Sequence, residues 1–133
     1  MMITTKPTIL AIDDSPTVIS MYKLSVSDLA VELVTYNSAE AAIPYLESHQ
    51  PDLILLDIMM PGMDGLTLLQ ALRENPLHSN THIIMVTSKN YDQDKNIAKD
   101  FGALDFIAKP IRIQQIKKLI IKHTKALAKD PHS

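Results

Sequence analysis

The sequence lacks cysteine, long apolar runs and a strong net charge, and each absence excludes a class of function. Without cysteine there is no disulfide bond, thiolate metal site or cysteine nucleophile. No apolar stretch is long enough to span a bilayer, and the N-terminus lacks the basic and apolar segments of a signal peptide. We therefore expect a cytoplasmic protein without a membrane anchor. The formal charge of −2 argues against direct nucleic-acid binding by the whole domain.

The composition is that of an ordinary globular protein, with 46% hydrophobic and 21% charged residues. A chain of 133 residues fits one domain and leaves little room for a second. No internal repeat or linker-like run interrupts it. We therefore predict a single domain over residues 1–133, with its core at about 7–128.

Strand-like and helix-like segments alternate five times along the chain. Short apolar runs, typical of strands covered on both faces, occupy 8–12, 53–56 and 83–86, with weaker candidates at 31–35 and 105–108. Helical spacing of apolar residues predicts helices over 16–29, 38–48, 65–74, 91–101 and 112–128. Ser15 and Asp64 are the predicted caps of the first and third helices. This alternation predicts an α/β fold, a doubly wound five-stranded parallel sheet with helices on both faces.

Two prolines carry structural expectations. Pro44 lies within the second predicted helix, where an interior proline costs roughly 3 kcal/mol. We expect a kink there or a helix that starts later than Ser38. The bond between Lys109 and Pro110 is a candidate cis peptide, whose isomer the sequence leaves open.

Polar side chains stand at the ends of four predicted strands. Asp13 and Asp14 close the first strand, Asp57 the third, Thr87 the fourth and Lys109 the fifth. Functional groups of open α/β sheets gather at the carboxyl ends of strands, so we expect these residues to converge. Three crowded carboxylates require an offsetting charge, and Mg²⁺ prefers oxygen ligands.

Each of these residues also has an ordinary structural explanation. Asp13 and Asp14 could cap the first helix, and Asp57 could be a turn residue. Lys109 could extend to solvent, and Thr87 could supply a turn hydroxyl. Taken together at strand ends, they favour a metal site with the lysine directed at the carboxylates.

Four motifs together resemble the receiver domain of two-component response regulators. They are Ile12-Asp13-Asp14-Ser15, the segment LLDIMMPGMDG at 55–65, Val86-Thr87-Ser88, and the segment GALDFIAKP at 102–110. The resemblance implies a flavodoxin-like receiver fold. It also implies a switch that accepts a phosphoryl group from a sensor histidine kinase or a histidine phosphotransfer protein. Such a switch is not an enzyme, and at most it catalyses its own phosphorylation and dephosphorylation.

The resemblance implies a role for each matching residue. Asp57 would be the phosphoacceptor. The implied Mg²⁺ ligands are Asp13, Asp14, Asp57 and the backbone carbonyl of Met59. Lys109 would hold Asp57 and then the phosphoryl group, while Thr87 would move to bond a phosphoryl oxygen and Phe106 would swing inward behind it. Many relatives have Tyr at position 106, and Met59 offers no polar side chain to an attacking water, so we expect slow hydrolysis of the phosphoryl group.

The last predicted helix is basic. Its cationic residues are Arg112, Lys117, Lys118, Lys122, Lys125 and Lys129. A solvated face is the ordinary explanation, but the face formed by 91–129 could also contact a downstream protein or a second copy of the chain. The histidines (His49, His78, His82, His123 and His132) show no metal-ligand pattern.

Three other functions fit the sequence less well than the receiver. A phosphatase with an aspartyl nucleophile often carries a second aspartate two residues later, and Met59 occupies that position. A receiver-like module that binds partners without phosphorylation would not need the complete polar set. The apolar strands exclude the helical bundle of a histidine phosphotransfer protein. The sequence leaves open whether the chain is a stand-alone regulator or the receiver of a longer one.

Overall fold

The computed structural model describes residues 6–88 and 92–126, which form a five-stranded parallel sheet with helices on both faces. The strands are β1 (Thr8–Ile12), β2 (Glu32–Tyr36), β3 (Leu53–Asp57), β4 (Ile83–Thr87) and β5 (Asp105–Ala108). The helices are α1 (Pro16–Ser25), α2 (Ala39–Leu46), α3 (Gly65–Glu74), α4 (Asp92–Asp100) and α5 (Ile113–His123), with a short 3₁₀ turn at Pro76–His78. The strand order β2-β1-β3-β4-β5 confirms the predicted fold class.

The continuous apolar runs are explained by burial on both faces of the sheet. In β1, Leu10 and Ile12 join the core beneath α2, α3 and α4, whereas Ile9 and Ala11 join the core beneath α1 and α5. The same alternation holds in β3, because successive side chains of a strand point to opposite faces. Both strands are interior, so neither face is left polar.

Helix α1 ends at Ser25, four residues earlier than predicted. The hydroxyl of Ser25 donates to the Met21 carbonyl at 2.7 Å, and that of Ser27 donates to the Leu24 carbonyl at 2.8 Å. Such side-chain bonds to the backbone compete with continued helix. Leu29 is nevertheless buried, so the apolar pattern was correct about burial and wrong about the helix end.

Pro44 lies inside α2, which begins at Ala39 after a cap by Ser38. The start after Ser38 is therefore confirmed, although the proline remains interior. Pro44 is exposed and removes the helical hydrogen bond to the Glu40 carbonyl, which belongs to an exposed residue of the same helix. The helix ends two residues beyond the proline, at Leu46.

The last two helices are also shorter than predicted. Helix α4 ends at Asp100 in a Schellman arrangement: Ala103 N donates to Ala98 O, Gly102 N donates to Lys99 O, and Gly102 has a φ of 77°. Helix α5 begins at Ile113 and ends at His123. The hydroxyl of Thr124 donates to Ile120 O and accepts from Ala126 N, which closes the last turn. The predicted helix positions 91, 127 and 128 lie outside the described residues.

No helix among residues 6–88 and 92–126 is long and apolar enough to cross a membrane.

Candidate functional site

Four adjacent strands bring the predicted site residues to one edge of the sheet. Asp13 follows β1, Asp57 ends β3, Thr87 ends β4, and Lys109 follows β5. In the strand register Asp57 pairs with Val86, one residue before Thr87. Lys109 N donates to the Thr87 carbonyl at 2.7 Å, which extends the β4–β5 pairing into the site. These carboxyl ends are the place where an open α/β sheet binds its ligands.

The three aspartates form a compact acidic group. One carboxylate oxygen from each of Asp13, Asp14 and Asp57 lies within 4.8 Å of the others. The Asp13 side chain is fully buried and Asp57 is 2% exposed, whereas Asp14 is open to solvent. Two buried carboxylates therefore share a site that solvent and a ligand reach from the Asp14 side.

Lys109 does not extend to solvent but turns into this group. Its Nζ lies 3.0 Å from Asp13 Oδ2 and 3.3 Å from Asp57 Oδ2. The peptide bond to Pro110 is cis, as the sequence had allowed. The alternative that Lys109 merely extends to solvent is therefore excluded.

The two carboxylate oxygens of Asp13 have different contacts, and these contacts show whether Asp13 caps α1. Its Oδ1 accepts from Ser15 N at 2.9 Å, and Ser15 Oγ in turn accepts from Val18 N at 3.3 Å. Ser15 is thus the helix cap that was predicted, while Asp13 shapes the turn before it. Asp13 Oδ2 is buried and has no hydrogen-bond partner among the described residues, although Lys109 lies within ion-pair distance.

The electrostatics of the site favour an additional cation. Burial, and then the neighbouring Asp13, raise the pKa of Asp57 to about 6, although Lys109 and the N–H of Met59 act in the opposite direction. Burial lowers the pKa of Lys109, but the two carboxylates outweigh it and the net pKa is raised. Three carboxylates and one ammonium leave a local charge of −2 when all are ionised.

These residues fit a divalent metal ion. The donors are hard carboxylate oxygens, which Mg²⁺ prefers, and the local charge matches that of the ion. Within the described part of the chain, the buried Oδ2 of Asp13 has the ion pair with Lys109 and no hydrogen bond, so it can also accept from a metal-bound water. The exposed Asp14 leaves room for the waters that Mg²⁺ usually retains.

Gly65 lets the end of β3 pack closely against the start of α3, a role that the sequence did not reveal. A Cβ at this position would lie 2.1 Å from the Asp57 carbonyl oxygen, and Gly65 N donates to Ile58 O at 2.9 Å. At Gly65 the close approach is between the loop's own backbone and Asp57.

The remaining predicted residues lie around the acidic group. Thr87 is 2% exposed at the end of β4. Met59 N donates to Asp57 Oδ1 at 3.3 Å, and the Met59 side chain is 53% exposed. Phe106 pairs with Met85 in the sheet and is half-buried, with Lys95 Nζ 5.9 Å from its ring centroid. Phe106 thus lies on β5, beneath α4.

Sequence comparison identifies the family. The profile of the response regulator receiver domain matches residues 9–121, and the chain belongs to this family. One relative is the cyclic di-GMP phosphodiesterase response regulator RpfG of Xanthomonas campestris pv. campestris, 34% identical over 82% of this chain and 29% of RpfG. The transcriptional regulatory protein BaeR of Escherichia coli is 35% identical over 83% of this chain and 45% of BaeR.

Solved receiver structures have the same fold. The signal receiver domain of a LuxO repressor protein from Vibrio parahaemolyticus superposes with a TM-score of 0.83 at 28% identity, covering 91% of this chain and 92% of that one. The chemotaxis protein CheY4 of Vibrio cholerae gives a TM-score of 0.82 at 25% identity, covering 90% and 99%. By contrast, the chain spans only 29% of RpfG and 50% of the Bacillus subtilis regulator PhoP.

The protein is therefore a response regulator receiver, a phosphoacceptor switch of two-component signalling. The name of RpfG includes a phosphodiesterase activity, but this chain matches less than a third of that protein.

Proposed function

We propose that Asp57 of this receiver accepts a phosphoryl group from a phosphohistidine, with Mg²⁺ held beside it. The supporting observation is the position of its carboxylate, buried next to Lys109 and within 4.8 Å of two further carboxylates. The donor would be a sensor histidine kinase or a histidine phosphotransfer protein in the cytoplasm. The receiver of residues 1–133 would act as a single domain.

The proposed chemistry is a direct transfer. A carboxylate oxygen of Asp57 attacks phosphorus, the bond between phosphorus and the donor histidine nitrogen breaks, and its electron pair returns to that nitrogen. An acyl phosphate forms on Asp57. Phosphoryl transfer depends mainly on positioning and on neutralising the equatorial oxygens, and Lys109, whose Nζ lies 3.3 Å from Asp57 Oδ2, would do the latter. The Thr87 hydroxyl would donate to another of these oxygens.

The metal ligands in this proposal are the three clustered aspartates and one backbone group. They are Asp13, Asp14, Asp57 and the carbonyl of Met59. When bound, Mg²⁺ supplies positive charge to the transferring group and to the carboxylates that surround it. Asp13 would act largely through a coordinated water, because its Oδ1 already accepts from Ser15 N and its Oδ2 pairs with Lys109 Nζ.

Phosphorylation would be transmitted through Thr87 and Phe106. When Thr87 moves to the phosphoryl oxygen, it vacates space that Phe106 can enter from its half-buried position. The inward ring would leave Lys95, which now lies over it, and change the surface formed by 91–129. This surface is the proposed contact for a downstream protein or a second copy of the chain.

The length of the relatives favours a second possibility for the target of the switch, an output domain within the same protein. Because the chain matches half or less of several curated regulators, this receiver could control an output domain in a longer protein.

A receiver-like module that binds partners without phosphorylation is the competing function. It predicts that the buried carboxylates are never modified.

The test is phosphorylation of the full chain by a small-molecule phosphodonor, with and without Mg²⁺, followed by intact mass. We expect one added phosphoryl group that requires Mg²⁺ and is absent from Asp57→Asn. The matched control is Asp100→Asn, which removes an exposed carboxylate at the end of α4. Folded protein that stays unmodified with several donors would contradict the proposal and support the phosphorylation-independent module.

A further inference from the structure

A second group of ionisable side chains lies at the opposite edge of the sheet, where the strands begin. Lys6 precedes β1, Asp52 precedes β3, and His82 precedes β4. Lys122, His123 and Lys125 at the end of α5 complete the wall of a pocket of about 480 Å³. Strand β3 separates the pocket from Asp57 by roughly 15 Å, because a strand rises about 3.3 Å per residue. The pocket is therefore independent of the acidic site.

The charge of this pocket is unbalanced. Three lysines line it, and Asp52 is the acid among its described lining residues. Asp52 is already engaged, because its Oδ2 accepts from Thr8 N at 2.7 Å. The ion pairs found in 6–88 and 92–126 involve Lys109 and Lys117, so the pocket lysines have no acidic partner within that part of the chain.

His123 adds an independent observation. Its Nε2 is buried and has no hydrogen-bond partner within the described segments. Buried polar atoms are nearly always paired, so each exception requires an explanation. The His123 ring lines the pocket, and a turn of the ring that exposes Nε2 would let it donate to an anion there if Nε2 carries the proton.

We propose that this pocket binds a phosphate-bearing small molecule. Lys6, Lys122 and Lys125 would neutralise its charge, and His123 Nε2 would donate to a phosphate oxygen once its ring turns toward the pocket. The volume lies within the roughly 300–1,000 Å³ of small-molecule sites, large enough for a nucleotide. Lysines act as point charges and bind phosphate in this way, and three of them match the multiple charge of a phosphate-bearing molecule.

The test is titration of the full chain in metal-free buffer, with the histidine ring signals followed by NMR. The probes are pyrophosphate, ADP, adenosine and citrate, and EDTA keeps metal–nucleotide complexes away from the acidic site. We expect pyrophosphate and ADP to shift the His82 and His123 signals in a saturable way, whereas adenosine and citrate leave them in place. The shifts should persist at 0.15 M salt, where the screening length is about 8 Å.

Two double variants distinguish specific binding in the pocket from nonspecific attraction of the anionic probe to surface lysines. Lys122→Gln with Lys125→Gln should weaken pyrophosphate binding roughly tenfold or more, as expected for lost charge-assisted contacts. Lys23→Gln with Lys118→Gln removes the same charge from exposed positions on α1 and α5 outside the pocket, and should change affinity less than about twofold. All four positions are exposed, so folding is preserved in both variants, and thermal unfolding checks this.

The outcomes discriminate between sources of phosphate. Tighter binding of ADP than of pyrophosphate assigns the pocket to a nucleotide, and equal binding assigns it to an inorganic or simple phosphate. Unmoved histidine signals at roughly 10 mM pyrophosphate, a value beyond any specific affinity, would overturn the proposal. So would citrate binding of equal strength, or equal losses in the two double variants.

Discussion

Lys109 and Asp57 are 52 positions apart in the chain, yet Nζ of the lysine lies 3.3 Å from Oδ2 of the aspartate. The ammonium of Lys109 does not fully offset the cost of burying the Asp57 carboxylate, because the pKa of Asp57 remains raised. Lys109 also serves Asp13, at 3.0 Å, so one ammonium is shared by two buried carboxylates. The geometry suits a site completed by a metal ion and a phosphoryl group, and it costs stability when neither is bound.

The first prediction concerns this cost. Asp57→Asn should stabilise the metal-free protein at pH 7 by about 1–3 kcal/mol, because it removes a buried charge whose folded pKa is about two units above normal. Urea unfolding of both proteins in EDTA measures the difference. Asp100→Asn, which removes an exposed carboxylate, should change stability by less than about 0.5 kcal/mol.

The pH dependence fixes the origin of that effect. Burial raises the pKa of Asp57 from 3.8 to about 6, so the folded protein holds this proton more tightly than the unfolded chain. The stabilisation from protonated Asp57 is fully present below pH 3.8 and is lost as the pH rises through about 6. The advantage of Asp57→Asn should therefore shrink on acidification from pH 7 to 4. An advantage that is constant over this range would contradict the explanation.

Gly65 provides a prediction that separates close packing from backbone strain. Gly65→Ala places a Cβ about 2.1 Å from the Asp57 carbonyl, so either α3 or the end of β3 must shift. We expect a loss of roughly 3 kcal/mol or more, together with slower phosphorylation at Asp57. Gly102→Ala is the comparison, because its Cβ would meet only the Arg73 side chain at 3.6 Å, leaving the strain of a φ of 77°. It should cost roughly 1 kcal/mol and leave phosphorylation unchanged. Equal effects of the two substitutions on phosphorylation would refute the close-packing role.

The acidic site was predictable from the sequence because its residues directly follow apolar strands. Asp13, Asp57 and Lys109 needed only the rule that parallel strands end at a common edge. The role of Gly65 was not predictable, since it depends on how closely α3 approaches β3. The helix ends were also missed, because the apolar period continues past Ser25 while its hydroxyl turns back to the helix. Sequence patterns report which residues are buried more directly than where a hydrogen-bonded helix stops.

Arg73 shows another contact that no local pattern reports. Its guanidinium donates to four backbone carbonyls, those of Phe101, Gly102, His78 and Thr81, at 2.7 to 3.2 Å. It thereby joins α3 to the end of α4 and to the loop before β4. Burial lowers the pKa of Arg73, and the carbonyls offset that cost by accepting its hydrogen bonds.

Replacing Arg73 should loosen the end of α4 and leave the sheet intact. Arg73→Gln should destabilise the protein by about 2–4 kcal/mol, since several charge-assisted bonds are lost. Arg73→Lys should recover only part of this, because an ammonium cannot reproduce the planar fork. Hydrogen exchange should accelerate at Gly102 and Ala103, with Arg112→Gln at an exposed position as the control. Faster exchange throughout β1 and β3 would instead indicate general destabilisation.

The last prediction concerns the lifetime of the phosphoryl group. Met59 follows Asp57 by two residues, its N–H donates to Asp57 Oδ1, and its side chain is 53% exposed. An apolar side chain there offers no hydrogen bond to a water approaching phosphorus, so hydrolysis should be slow. Met59→Asn introduces such a group and should shorten the half-life roughly two- to tenfold, the worth of one hydrogen bond in the transition state.

The measurement is the decay of phosphorylated mass after the donor is removed. Met59→Leu keeps the position apolar and should leave the half-life unchanged, while Leu24→Asn tests the same polar change at an exposed site on α1. Both comparisons are needed because a general loss of stability also exposes the acyl phosphate to water. If Met59→Leu and Met59→Asn decay at the same rate, the side chain at position 59 does not contact the attacking water, and the lifetime is set by the buried residues around Asp57.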